Sequence, residues 1–427
     1  MTSHVAACPH AERSFRVVTA PRRAPARRMR TEVGIVGAGP AGLALANVLT
    51  RRGVDCVVVE RASRERVEGR QRAGLLEYRT VRWLRSQGLA DRLLAESTRH
   101  HWCDFRCLGH TVRVDYGAYS DGHQHHVYPQ QNLVRDLVDG LERAGSPPLF
   151  SHSVRAVTNI TGRRPRLECE GMEIECDYVV GCDGFRGISR AALPATGHRA
   201  HNRRYPYDWL TVLAEVDEPA EGVRYAVHRA GFAGMMPRGP RLSRFYLQCP
   251  PGDAVTAWPA PRIVAELRQR LADGDPAGLP ALGAMPEVRM LRMHSSVLTP
   301  LAHGRLLLAG DAGHVLTPSG AKGMNLAIAD AAALAEALVA RLREGDEGPL
   351  ASYSATRLAD VRRVLGFSEW LLGLLHLPGE ASAAPDAELA SRLAAIRRLA
   401  EPGPHAYRFA HRYVGSGVRE WCHDPPG

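Results

Sequence analysis

Lysine is almost absent. Of 55 lysines and arginines in 427 residues, only Lys322 is a lysine, and every other cation is arginine. Aromatic residues make up 6%. Nine cysteines include no Cys-x-x-Cys pair and their count is odd, which fits reduced thiols in a cytoplasm better than a disulfide framework. Long apolar runs are missing too. The longest nearly uncharged one, Gly34 to Leu49, has 16 residues with four glycines and a proline, short of the ~20 that span a bilayer, so no membrane helix is expected. A strong charge is also lacking once the chain is divided. Residues 1–30 hold seven arginines against Glu12, a net +6 of the total +10, which leaves +4 for the other 397. That body has no Lys/Arg stripe of the kind nucleic acid requires. The Arg-rich leader has no apolar core of a secretory signal. Residues 1–28 read as a disordered extension, or as a start placed ahead of Met29.

What is present begins directly after the leader. The β-rich run Glu32-Val33-Gly34-Ile35-Val36 leads into Gly37-Ala38-Gly39-Pro40-Ala41-Gly42 and then an apolar helical stretch. Strand, glycine turn and helix stand in the order a dinucleotide fold requires. Gly37 permits the tight turn, Gly39 lets backbone approach a pyrophosphate, and Gly42 allows close helix–strand packing. The helix N-terminus turns its positive end to the phosphates. A second strand, Cys56 to Val59, ends in Glu60, 18 residues past Gly42 and placed for ribose hydroxyls. Two further strands end in polar turns: Tyr178–Gly184 with Asp183, followed by Arg186 and Arg190, and Leu306–His314 with Asp311, suited to a ribityl chain. After the second comes Pro318-Ser319-Gly320-Ala321-Lys322-Gly323-Met324-Asn325 and an Ala/Leu helix to about Leu342, its amides aimed beyond the strand ends. The one lysine of an arginine-writing sequence in this loop points to a need for a compact ammonium there. Around His100, Cys103 and Cys107 the residues alternate like a strand rather than a zinc site, so no metal is expected. His123, His125 and His126 read as a solvated hairpin tip.

With these motifs in order, the chain resembles the FAD-dependent aromatic hydroxylases, single-component flavoprotein monooxygenases, and within them those acting on para-hydroxybenzoate. The resemblance runs from about Thr31 to Tyr413. Its carriers include Gly69-Arg70-Gln71-Arg72-Ala73-Gly74-Leu75-Leu76-Glu77, Tyr205-Pro206-Tyr207-Asp208-Trp209-Leu210, Tyr225-Ala226-Val227-His228 and the Pro318–Asn325 loop. It implies non-covalent FAD held by Gly37, Gly39, Ala41, Gly42, Glu60, Arg70, Gln71, Arg72, Ala73, Gly74, Leu75, Gln130, Asp183, Asp311, Lys322, Met324 and Asn325. It also implies NADPH (or NADH) as a transient co-substrate, since no second glycine fingerprint exists; Arg61, Arg64 and Arg66 would welcome a 2′-phosphate. Tyr225 looks like the tyrosine that bonds a substrate phenol, Tyr413 like its partner and His100 like the exit of a proton relay. Arg238 and Tyr246 look like the groups holding an aromatic carboxylate, and Pro318 offers a carbonyl near the ring oxygen.

The departures concern the pocket. Met236 stands where the family has a serine hydroxyl, Met235 where it has a cysteine, and Gly234 where a leucine lines the wall, so room should open beside the ring. The implied reaction adds O₂ to reduced flavin as a C4a-hydroperoxide and hydroxylates a small phenolic acid, 4-hydroxybenzoate or a 3-substituted relative such as 3-amino-4-hydroxybenzoate, the latter at carbon 2. Alternatives are a flavin oxidoreductase that does not oxygenate and a non-catalytic flavin-binding protein. The expected architecture is α/β. A doubly wound, Rossmann-like FAD domain is built from 29–200 and 288–350, with an inserted antiparallel-sheet substrate domain over 201–287. C-terminal helices over 351–427 follow, in which Trp370, Leu371, Leu372, Leu374 and Leu375 would pack a homodimer.

Overall fold

The computed structural model describes residues 27–72, 74–218, 221–239, 241–272, 278–377 and 385–416. The expectations for residues 1–26 and Ala73 lie outside them. Arg27 and Arg28, placed in the leader by the sequence reading, open the first strand, Arg27–Val36, and pair with Met172 and Glu173.

The first sheet is the dinucleotide sheet. Leu306–Leu308, Met172–Gly181, Arg27–Val36 and Cys56–Val59 lie side by side in parallel. Val33, Ile35, Val36, Val57, Val58, Val59, Val179 and Val180 are all buried, as expected of parallel strands covered on both faces. The helix Pro40–Arg51 leaves the tip of the first strand, and Lys322–Val339 packs against it. The stretch Ser319–Glu344 is the one helical run among the described residues long and apolar enough to cross a membrane; 72% of its apolar window is buried inside the protein, because it is the core helix of this domain.

The second sheet has seven strands in the order Glu287–Leu291, Asp208–Glu215, Leu242–Cys249, Ala233–Gly239, Val223–Val227, Trp102–Cys107 and His110–Asp115. It reaches beyond the inserted segment 201–287: two strands come from the first third of the chain, and Val223–Val227 joins Trp102–Cys107 in parallel. Alternation sorts its side chains. Met236 faces the core shared with the C-terminal helices, while Met235 faces a separate core beneath Ala260–Leu267.

The C-terminal helices Gly348–Leu375, Pro385–Ala400 and Pro404–Val414 close the molecule. They correct one expectation. Leu371, Leu372, Leu374 and Leu375 are buried against the second sheet and the last two helices, so their apolar face is covered within this chain; Trp370, 44% exposed, stays at the surface.

One buried carboxylate ties the first sheet to these helices. Asp330 accepts from the Gly310 amide (2.8 Å), His314 Nε2 (2.6 Å) and Arg357 Nε (2.8 Å). Burial works to raise its carboxyl, yet His314 and Arg357 hold it down to about 2, against an ordinary 3.8. The charged form is the favoured one, so its contribution is complete above pH 3.8 and drains away as pH falls toward 2. It amounts to roughly 2–3 kcal/mol. Asp330→Asn should leave Arg357 with Asp360 as its carboxylate partner and His314 without one, and cost about 3–5 kcal/mol, read as a lower denaturant midpoint at pH 7. The variant's stability should also lose part of the wild type's slope between pH 4 and 2; an unchanged slope would remove Asp330 from the acid response.

Candidate active site

The glycine turn sits where three strand ends meet. Gly37 has φ +106°, and a Cβ there would lie 2.6 Å from the Cys182 carbonyl; only glycine fits. A Cβ on Gly42 would lie 2.2 Å from the Gly37 oxygen, which accounts for the helix standing so close to the turn. At Gly39 the nearest atom to such a Cβ is 3.9 Å away. Its open side faces a cavity of about 530 Å³ that runs from the Gly39–Ala41 turn to the second sheet. Gln71, Arg72, Leu75, Gln130, Asp311 and Met324 line this cavity, as do Lys322 and Pro318. These residues fit a flavin dinucleotide: a backbone cradle that any side chain at Gly39 would fill, a carboxylate beyond a strand end, and a helix N-terminus.

The remaining expected cofactor residues stand behind that wall. Glu60 is buried, and its carboxylate accepts from the amides of Ala38 and Ala62, both at 2.9 Å. It thereby shapes the glycine turn itself, with Arg70 at 3.9 Å. Asp183 accepts from the Ser189 amide at 2.9 Å, burial raises its carboxyl, and its Oδ1 is buried without a partner. Gly74 lies against the Tyr128 carbonyl, 2.7 Å from a notional Cβ. Asn325 spans two elements, accepting from the Glu77 amide (2.9 Å) and donating to the carbonyls of Leu75 (3.0 Å) and Ala321 (2.8 Å). Of the arginines after Glu60, Arg64 is held by Glu68, Asp139 and Glu142, which leaves Arg61 and Arg66 exposed on that loop.

Lys322 begins the core helix, after Gly320 (φ 72°) and Ala321 (φ 55°) turn the chain left-handed. Its ammonium is buried and all three donors are used: Glu77 Oε1 at 2.6 Å, the Arg412 carbonyl at 2.8 Å and the Tyr413 carbonyl at 2.7 Å. The lone lysine therefore fastens the last helix to the cofactor domain. Glu77 was quoted in the sequence but given no task; its place three residues past Gly74 was the only available hint.

The second sheet forms the other end of the cavity. Tyr225, Gly234, Tyr246, Thr211 and Arg289 stand opposite one another on adjacent strands and so share one face. Met236 and Arg238 follow Gly234 at period two and line the cavity with Tyr246. Arg238 is half-buried, and its Nε is buried with no hydrogen-bond partner. Burial lowers its guanidinium pKa, and the Tyr246 hydroxyl beside it works the other way. Arg244, paired with Glu287 at 2.8 Å, adds a further cation. The expected room beside Gly234 is not there. The Phe232 ring, stacked on Trp209 at 4.7 Å, comes within 2.9 Å of a notional Gly234 Cβ and fills it.

Tyr225 and Tyr413 hydroxyls meet at 2.8 Å, both fully buried behind the cavity wall. Burial pushes both far up, so each stays a neutral phenol. His100 is buried as well, pushed down to about 4 by burial, and bonds Tyr116 through Nδ1 at 2.7 Å. The histidine group is a second correction. His125–Val127 is the middle strand between Leu75–Leu76 and Thr98–His100, so His125 and His126 are buried rather than solvated; His123 is half-buried and stacks on Tyr78 at 3.7 Å. Short runs of polar residues give no sign of a central strand, which is why His125 reads as solvated in the sequence and Tyr116 carries no signal there.

Comparison with known proteins agrees with this geometry. The FAD binding domain family matches residues 30–368. The p-hydroxybenzoate hydroxylase of Acinetobacter baylyi is 36% identical over 353 residues, 82% of this chain and 87% of that protein. A 3-(3-hydroxy-phenyl)propionate/3-hydroxycinnamic acid hydroxylase of Paraburkholderia xenovorans is 29% identical over 81% of this chain, which spans just 56% of that longer relative. Among solved structures, p-nitrophenol 4-monooxygenase PnpA of Pseudomonas putida shares the fold with a TM-score of 0.76 at 19% identity, over 92% of this chain and 99% of that one. The chain belongs to the FAD binding domain family and is a flavoprotein aromatic monooxygenase.

Proposed function

We propose that this enzyme hydroxylates a phenolic acid of the 4-hydroxybenzoate type, with NADPH or NADH as reductant. The observation that carries the substrate class is Arg238. A guanidinium with a buried, unpartnered Nε at a cavity wall is suited to a carboxylate. Tyr225 lies two strands from Tyr246 along one row. At about 4.8 Å per strand, one aromatic ring with para substituents bridges that gap. Bound FAD, reduced by the nicotinamide and reoxidised by O₂, supplies the electrophilic oxygen.

The protein's own part is positional and protonic. Arg238 and Tyr246 orient the acid, and Met236 and Pro318 wall the cavity beside it. Tyr225 takes up the phenol proton as it hands its own to Tyr413, which makes the ring electron-rich. Neither tyrosine holds a charge, because burial keeps both hydroxyls protonated. Reductant choice rests on exposed Arg61 and Arg66. A homodimer would use the exposed rings Trp370 and Tyr407, 44% and 51% exposed, rather than the buried leucines; equilibrium sedimentation showing a monomer at micromolar concentration would refute it.

The purified protein should be yellow with non-covalent FAD and should consume NADPH and O₂ only with a suitable acid. Arg238→Met should keep FAD but weaken binding of 4-hydroxybenzoate by about 100-fold, as losing a charge-assisted partner costs roughly 2–3 kcal/mol. Equal affinity in that variant would refute the carboxylate assignment. A second reading rests on Met236, which lines the cavity without a hydrogen-bond donor. It leaves 3-amino-4-hydroxybenzoate, oxygenated at carbon 2, as the competing acid, although Phe232 fills the space beside Gly234 that a ring substituent would use. Comparing kcat/KM and peroxide release for the two acids decides between them, and Met236→Ser should shift preference toward the unsubstituted acid.

A further inference from the structure

The last helix and the long helix Gly348–Leu375 enclose a groove that shares no lining residue with the large cavity. One side of it is a triangle of rings: the centroids of Phe367, Trp370 and Phe409 lie 5.8 to 6.2 Å apart. The other side is cationic. His405, Arg408 and Arg412 recur at intervals of three and four along Pro404–Val414 and so share one helix face. With Leu399 these residues line a cavity of about 220 Å³ to which no acidic side chain contributes. Phe367, Arg408 and Arg412 also line a neighbouring cavity, where Glu77 is the one acid and is taken by Lys322 and Arg79.

Exposed arginines are ordinary on this surface, but two features set the groove apart. The guanidinium groups of Arg408 and Arg412 have neither an ion pair nor a hydrogen bond among the described residues. They nonetheless stand four residues apart on one helix, where like charges repel. Beside them Trp370 is 44% exposed, one of few large apolar side chains left in solvent. An anion with an aromatic body relieves both costs at once.

We propose that this groove is a second ligand site, for a small aromatic carboxylate whose ring packs on Trp370 over Phe367 and Phe409 and whose carboxylate takes Arg408 and Arg412. A carboxylate has two oxygens, enough for one charge-assisted bond to each guanidinium. The three rings offer stacking and edge contacts, for which a hydrated inorganic ion has no use. Size agrees as well. A cavity of about 150 Å³ holds benzene, so 220 Å³ admits a ring with one carboxylate. The inference stands apart from the substrate reading, because the two sites have separate walls. They meet only in the scaffold: the backbone carbonyl of Arg412 is one of the acceptors of Lys322, at 2.8 Å.

The test titrates benzoate into the FAD-loaded full chain by calorimetry, and then into variants. Wild type should take up two equivalents, one in the large cavity and one in the groove. Arg238→Met should lose the first and keep the second. The double variant Arg408→Gln/Arg412→Gln should keep FAD and the first equivalent, and bind the second at least about tenfold more weakly. Both side chains are exposed and Gln retains the backbone acceptor for Lys322, so the fold is not at stake. Trp370→Ala should weaken the groove alone. If Arg408→Gln/Arg412→Gln titrates like wild type, the groove is overturned as a site. If affinity for the groove falls as protein concentration rises, a second copy of the chain competes for it, and the ligand assignment is overturned too. If Arg238→Met still takes up two equivalents, of which the double variant loses one, the carboxylate reading of the large cavity fails and the groove stands.

Discussion

The buried Lys322 ammonium is the contact on which the site's geometry depends. Three donors meet one carboxylate and two backbone carbonyls within 2.8 Å, and the rings of Phe367 and Tyr413 stand 5.1 and 5.8 Å from the charge. Burying an ammonium costs several kcal/mol unless every proton is satisfied. Here the requirement is met only when the last helix sits so that residues 412 and 413 offer their carbonyls. The position of the Tyr413 hydroxyl, and with it the Tyr225 pair, follows from that demand. Arginine would bring a planar fork with five donors to a place that offers three acceptors around a point. A chain that writes all its other cations as arginine thus has a geometric reason for one lysine.

Asp330 does for the cofactor side what Lys322 does for the side of the Tyr225–Tyr413 pair. Both lie on the core helix, Lys322 at its start and Asp330 two turns on, and each binds a segment distant in sequence: the last helix through Lys322, the Gly310–Ala312 turn and Arg357 through Asp330. The carboxylate of Asp311 and the wall carrying Pro318 are therefore held by one rigid element. A site assembled from a glycine turn, a sheet face and a terminal helix keeps its register because two fully satisfied buried charges leave no cheaper arrangement.

How much of this was legible in the sequence follows from how local each signal is. The glycine turn, Glu60 and the strands ending in Asp183 and Asp311 are local patterns, and the structure builds strand, turn and helix there. Arg238, Tyr246 and Met236 were legible through resemblance, and period-two alternation explains why they share a face while Met235 does not. Cavity room was not legible, because it depends on where a neighbouring ring goes: Phe232 closes the space that Gly234 vacates. Nor was the burial of Leu371 to Leu375 or of His125, since an apolar helix face does not say which surface covers it, and a three-residue polar strand has no period to read. Strands from residues 102–115 join the second sheet by a parallel pairing that spans more than a hundred residues, which no local pattern encodes.

The two ends of the site obey opposite electrostatic rules. At the sheet end, Arg238, Arg244 and Arg289 outnumber Glu287 along the cavity wall, so an anion is attracted and its desolvation is offset. At the far end, Tyr225, Tyr413, Tyr116, His125 and His100 are all neutral, because burial penalises the charged form of each. A ligand with a permanent negative charge at one end and an ionisable hydroxyl at the other fits both rules at once. Reversed, its carboxylate would lie among neutral hydroxyls with no cation in bonding range, and its phenol would leave Arg238 unpaired. On the phenolic-acid proposal, orientation is set by charge before any shape is read. The hydroxyl then belongs at the neutral end, toward the row that ends at Tyr225.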